Sequence, residues 1–125
     1  MNTIHTPNAP AAVGPYSQAA VVGSLVFTSG QIPIDPRTGA LIDGPIEEQA
    51  RQVFENLSAI LAEAGSDLAH AVKTTCYLRR MSDFAAFNRV YEEYFPSKPA
   101  RSCVEVSALP KGAGVEVEVI AERVR

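Results

Sequence analysis

Arginine in the middle of a strand-like run is the first residue in this chain that demands a chemical explanation. It occurs in Pro99-Ala100-Arg101-Ser102-Cys103-Val104-Glu105-Val106. Arginine does not lose its charge, and its planar fork fits a carboxylate or phosphate two bonds at a time, so in mid-strand it needs a partner. Strand alternation puts Arg101, Cys103 and Glu105 on one face and Ala100, Ser102, Val104 and Val106 on the other. The second face reads as core and the first as a site. A second candidate is Glu116, in Val115-Glu116-Val117-Glu118, which this reading places on the Arg101 face of the next strand. A fixed cation beside an acid that orients water suits hydrolysis of a small anionic molecule. The competing account makes Arg101 a structural ion-pair member, with Glu105 or Glu118 as partner.

Other chemistry finds less support. Cys103 has no histidine placed to activate it and reads as a small packing residue, with no thiol catalysis assigned. His5 and His70 are isolated, and no metal-ligand spacing is present, so no metal site is expected. Ser29 lies in Thr28-Ser29-Gly30-Gln31, which is not a nucleophile elbow, and no glycine pattern matches a phosphate or dinucleotide loop. Tyr16, in Gly14-Pro15-Tyr16-Ser17-Gln18, reads as an aromatic plug, and Asn88 as a hydrogen-bonded packing residue; either could line a pocket.

These residues need elements to hold them. Ala19 to Val22 and Leu25 to Ser29 flank Gly23-Ser24 as a hairpin, and the turn formers from Gln31 to Gly44 imply a loop with one short strand. Pro45 starts a helix, Glu47 and Glu48 favour its positive end, and Gly65 stops it. Its stripe of Ile46, Ala50, Val53, Phe54, Leu57, Ile60, Leu61 and Ala64 should be buried. Val72 to Leu78 reads as a strand, and Ser82 as the cap of a helix over Asp83 to Phe95 that buries Phe84, Phe87, Tyr91 and either Tyr94 or Phe95. Arg101 to Val106 and Val115 to Val124 then form two strands joined through Leu109, Pro110, Lys111 and Gly112. The order ββαβαββ predicts an α+β fold, a mixed sheet with both helices on one face. The helix-free face, expected to carry Cys103, Ile120 and Tyr77, is semi-polar, which favours an oligomer over a solvated sheet surface.

Length and composition bound the possibilities. A chain of 125 residues fits one domain, 1–125, and its 46% hydrophobic and 20% charged residues are those of a folded protein. A net charge of -3 supplies no basic field, which argues against nucleic acid as the main partner. Cys76 and Cys103 form no Cys-x-x-Cys pair, no secretory or lipidation signal is evident, and no apolar run has membrane-spanning length. A cytoplasmic protein with free thiols is the expectation.

Four segments together resemble a known family. Ala9-Pro10-Ala11-Ala12-Val13-Gly14-Pro15-Tyr16-Ser17-Gln18, Thr28-Ser29-Gly30-Gln31-Ile32-Pro33, Gln49-Ala50-Arg51-Gln52 and the Arg101 segment resemble the Rid family of reactive enamine and imine deaminases, with the older names YjgF and endoribonuclease L-PSP. The likeness spans essentially the whole chain. It implies a chorismate-mutase-like (YjgF-like) subunit, a homotrimer with pockets between subunits, and cofactor-independent hydrolysis of 2-aminoacrylate and related imines to 2-oxo acids and ammonia. By the same resemblance Arg101 matches the substrate-carboxylate arginine, Cys103 a position whose backbone holds ligand, and Glu116 the glutamate associated with water. Tyr16, Ser29, Gly30 and Asn88 match other pocket positions. The connection Phe95-Pro96-Ser97-Lys98-Pro99 is shorter than in some relatives, which leaves the pocket rim and substrate range open. Two further readings remain: a module that binds small carboxylates without turnover, and an endoribonuclease. The acidic balance and the lack of a paired histidine weigh against the latter.

Overall fold

The hairpin at Gly23-Ser24 forms, with β2 (Ala19–Val22) antiparallel to β3 (Leu25–Thr28) and Val22 opposite Leu25. Ahead of it lies a strand the sequence pattern did not reveal, β1 (Asn2–Ile4), paired antiparallel with β2 at the sheet edge. Three residues of mixed polarity are too short to show a period, and only pairing makes them a strand. The structure, a computed structural model, describes residues 1–125.

Helix α1 (Ile46–Glu63) begins after Pro45 and carries Glu47 and Glu48 in its first turn, where the helix dipole favours acid. All eight residues of the apolar stripe are buried. Gly65, at φ +81°, turns the chain out of the helix, and a Cβ there would meet the Arg125 carbonyl. The amides of Val124 and Arg125 both donate to the Gly65 carbonyl, so the close approach ties the C-terminus to the helix end.

After β4 (Ala71–Leu78), a 3-10 turn over Met81–Asp83 leads into α2 (Phe84–Tyr94). Ser82 does not cap α2: it lies inside that turn, and the helix start has no side-chain cap. Instead the Met81 amide donates to Glu105 Oε1 at 2.7 Å, a partner remote in sequence. Phe54 of α1 packs among Phe87, Tyr91, Tyr94 and Phe95, with ring centroids 5.1–5.9 Å away, and this aromatic cluster joins the two helices.

Strands β5 (Ala100–Glu105) and β6 (Val115–Glu122) complete one six-stranded sheet in the order β1-β2-β3-β6-β4-β5. The fold is therefore α+β and mixed, as expected: β4 and β5 are parallel and every other pair is antiparallel. β5 and β6 are not neighbours, however, because α2 carries the chain back beside β4 and β6 then inserts between β3 and β4.

That arrangement reverses the faces expected for β5. Thr74 pairs with Arg101 and Cys76 with Cys103, and in-register neighbours share a face. Thr74, Cys76 and Leu78 are buried beneath the helices, so Arg101 and Cys103 lie on the helix side. Ser102 and Val104 lie on the open face with Thr75 and Tyr77. Alternation grouped the residues of β5 correctly, but only its neighbour decides which group faces inward. As an edge strand under the margin of α2, β5 leaves even its helix-side residues half-exposed. Ile120 and Tyr77 do lie on the open face; Cys103 does not.

Candidate functional site

Arg101 leaves the edge strand toward α2. Its Nη1 donates to Asn88 Oδ1 at 2.6 Å, and its guanidinium carbon lies 4.7 Å from the Tyr91 ring centroid and 5.4 Å from that of Phe84. No carboxylate lies within ion-pair distance of it. Glu105 is engaged at Met81, and Glu118, on the other face, accepts from the Tyr77 hydroxyl at 3.2 Å. Neither structural partner considered from the sequence is used. The half-buried cation opens on a cleft of about 310 Å³ lined by Asn88, Tyr91, Glu92, Phe95, Lys98 and Pro99.

Cys103 stands beside Arg101 on the same face and opposite Cys76. A hydrogen bond with Cys76 and the Arg101 charge draw its thiol down to about 7, against the effect of burial. The fully buried Cys76 thiol is pushed up by the same hydrogen bond and by burial.

Glu116 lies on the opposite face of the sheet, paired with Tyr77 on β4. A single chain therefore does not bring Arg101 and Glu116 together, contrary to the shared face expected from a β5–β6 hairpin. Glu116 lines a separate cleft of about 280 Å³ with Tyr16, Gly30, Lys111 and an apolar wall that includes Val13 and Ile32. Partial burial, and secondarily Glu118, raise its carboxyl above the ordinary glutamate range. Gly30 packs directly on this carboxylate: a Cβ at Gly30 would overlap it. Glycine here is a matter of space, since the backbone lies outside the left-handed region.

Three of the other expected pocket residues divide between the two clefts, and Ser29 lines neither. Asn88 belongs with Arg101, while Tyr16, about half exposed, and Gly30 belong with Glu116. Ser29 is a clasp: its hydroxyl donates to the Ser17 carbonyl at 2.6 Å and its amide to the Gln18 carbonyl at 2.9 Å.

Two supporting side chains escaped the sequence reading. Buried Gln18 accepts from the Thr6 amide at 2.6 Å and donates to the Thr6 and Pro10 carbonyls at 3.0 and 2.8 Å, fixing the segment that forms the cleft wall. Buried Asn56 donates to the Ile34 carbonyl at 2.9 Å and pins the 31–44 loop to α1. Polar residues inside an apolar pattern were the available signal, but only loop placement shows what they bind. No grouping of three or more His, Cys, Asp or Glu side chains is arranged to hold a metal ion, and no helix is long and apolar enough to cross a membrane.

Comparison with known proteins matches the whole of this framework. The family model described as Endoribonuclease L-PSP matches residues 6–123. A RutC family protein from Pyrococcus abyssi is 56% identical over 119 residues, 94% of each chain. The 2-iminobutanoate/2-iminopropanoate deaminase of Salmonella typhimurium is 50% identical over 125 residues, 97% of each. Among solved structures, Escherichia coli TdcF with bound serine superposes with a TM-score of 0.94 at 42% identity, covering 99% of this chain and 100% of that one. With sequence and fold in agreement over nearly its full length, this chain belongs to the endoribonuclease L-PSP family, also called Rid or YjgF.

Proposed function

We propose that this protein hydrolyses reactive 2-aminoacrylate, 2-iminopropanoate and 2-iminobutanoate-type enamines and imines to 2-oxo acids and ammonia. The observation that carries this reading is Arg101, a half-buried guanidinium fixed by Asn88 yet left without a carboxylate partner. Such a cation is ready for the carboxylate of a small ligand. The deaminase name of the Salmonella relative, and the serine in TdcF, support a ligand of this chemical class.

In this reaction the enamine takes a proton at its terminal carbon to give the imine. Water adds to the C=N carbon, the resulting carbinolamine is protonated at nitrogen, and ammonia leaves as the carbonyl forms. Arg101 holds the carboxylate, and backbone groups at Gly30 and Cys103 fix orientation. Glu116, its carboxyl raised above the ordinary glutamate range by burial, orients the water and passes protons to the departing nitrogen.

Because Arg101 and Glu116 lie on opposite sheet faces, the working pocket requires the Arg101 cleft of one copy and the Glu116 cleft of another. The reading therefore includes a homotrimer with pockets between subunits, as the family resemblance implies.

The test generates 2-iminopropanoate and 2-iminobutanoate in situ and follows 2-oxo acid formation with and without the protein. Acceleration is expected. Arg101→Ala should lower kcat/KM by roughly 10² to 10³, about 3–4 kcal/mol of transition-state binding. Arg101→Lys should rescue only in part, because a point charge lacks the fork. Release at the spontaneous rate would sink the proposal and leave a binding module.

A further inference from the structure

Arg101 is held in place by groups that leave its charge intact. We propose that Phe84 and Tyr91 are positioning residues acting through Arg101, an aromatic cradle that aims the free edge of the guanidinium at the substrate carboxylate. The inference rests on the clamp reading above.

A guanidinium at the end of a long side chain on an edge strand has rotamer freedom to lose before it can hold a ligand in one geometry. An aspartate or glutamate could fix it, but would occupy the fork and cancel the charge that an incoming carboxylate needs. Aromatic faces attract a cation through the ring quadrupole and consume no N–H donor. Arg101 lies over Tyr91 at 4.7 Å and Phe84 at 5.4 Å and gives Nη1 to Asn88. The remaining donors stay available.

The cradle is itself braced. The Tyr91 hydroxyl is hydrogen-bonded to that of Thr74 at 2.7 Å, and Thr74 is the β4 residue in register with Arg101. Strand pairing thus sets the height of both the cation and the ring beneath it. The Tyr91 ring also stacks on Phe95 at 4.5 Å and meets Phe54 edge-on, which prevents it from swinging away. Phe84, Asn88 and Tyr91 recur at four- and three-residue steps, so one stripe of α2 supplies the hydrogen-bond acceptor and both rings that hold Arg101.

The experiment measures binding of 2-oxobutanoate, a product-like carboxylate that needs no turnover, to the assembled protein by calorimetry, with a thermal melt on each sample. Tyr91→Leu and Phe84→Leu should weaken binding about 5- to 30-fold. Tyr91→Phe, which keeps the ring, should stay within about threefold. In an Arg101→Ala background Phe84→Leu should cost less than about twofold, because the residue it serves is gone. Phe84 is only partly buried, so its variant remains informative if Tyr91→Leu does not fold. A lower melting temperature with unchanged affinity for Phe84→Leu, or an equal loss with and without Arg101, would overturn the cradle. Wild-type protein that binds no 2-oxo acid would instead overturn the clamp, and the cradle with it.

Discussion

Glu116 shows how a single residue can set function against stability. Its carboxyl is raised in the folded chain by burial and by Glu118, so the folded state holds that proton more tightly than the unfolded chain does. Below the unfolded value, about pH 4, the group is neutral in both states and costs nothing. As pH rises through the unfolded and then the folded value, stability falls, and the full penalty is present above the folded one. Glu116→Gln, which cannot ionise, should therefore melt higher than the parent at neutral pH and converge with it in acid. Its turnover should drop about 10² to 10⁴ if the carboxyl handles protons. Melting curves across pH, paired with imine hydrolysis on the same samples, check both halves; a constant difference in melting temperature would show that the charge carries no folding penalty.

The segment after β3 is an element defined by its anchors. The Gln31 amide donates to the Val117 carbonyl at 2.9 Å, Asn56 holds Ile34, and Ser29 clasps the preceding segment, so Gly30 is presented against Glu116 at a fixed height. The atom that a new Cβ at Gly30 would strike is the far end of a flexible side chain. Gly30→Ala should therefore cost little stability, less than about 1 kcal/mol, while displacing the carboxylate. Turnover should fall by at least about tenfold, with affinity for the 2-oxo acid less affected. A thermal melt and a kcat measurement test this together. Full activity in a normally stable variant would mean that the position of the Glu116 carboxylate is not critical.

Across the whole molecule, the helix-free sheet face is the surface left without a cover. Val22, Phe27 and Val104 are 56%, 40% and 45% exposed, and Tyr77 and Ile120 lie on the same face. Against it, a second copy would bury apolar area and bring a foreign Glu116 toward Arg101. Light scattering should accordingly give three times the 13.4 kDa chain mass. A mixing experiment is more decisive. Arg101→Ala and Glu116→Gln, each nearly inactive alone, should recover about a quarter of wild-type turnover when co-refolded in equal amounts, because random assembly leaves that share of shared pockets intact. A pocket built within one chain predicts no recovery.

What the amino-acid sequence determined by itself was local and periodic. The α1 stripe from Ile46 to Ala64, the Gly23-Ser24 hairpin and the grouping of Arg101 with Cys103 follow from spacing that any fold must respect, and the segments that resemble the family named the candidate positions. Tertiary structure alone decided which side of the sheet each group occupies. A strand's alternation is symmetric about its own plane, so the face of Arg101 depends on pairing with Thr74 and Cys76 rather than on anything within residues 100–105. Long-range pairing also placed β6 between β3 and β4, which moved Glu116 away from Arg101. Likewise, the stripe of Phe84, Asn88 and Tyr91 was legible as packing, but its contact with a cation was not. Helical period tells which residues share a face; what that face meets is settled only when the sheet closes beneath it.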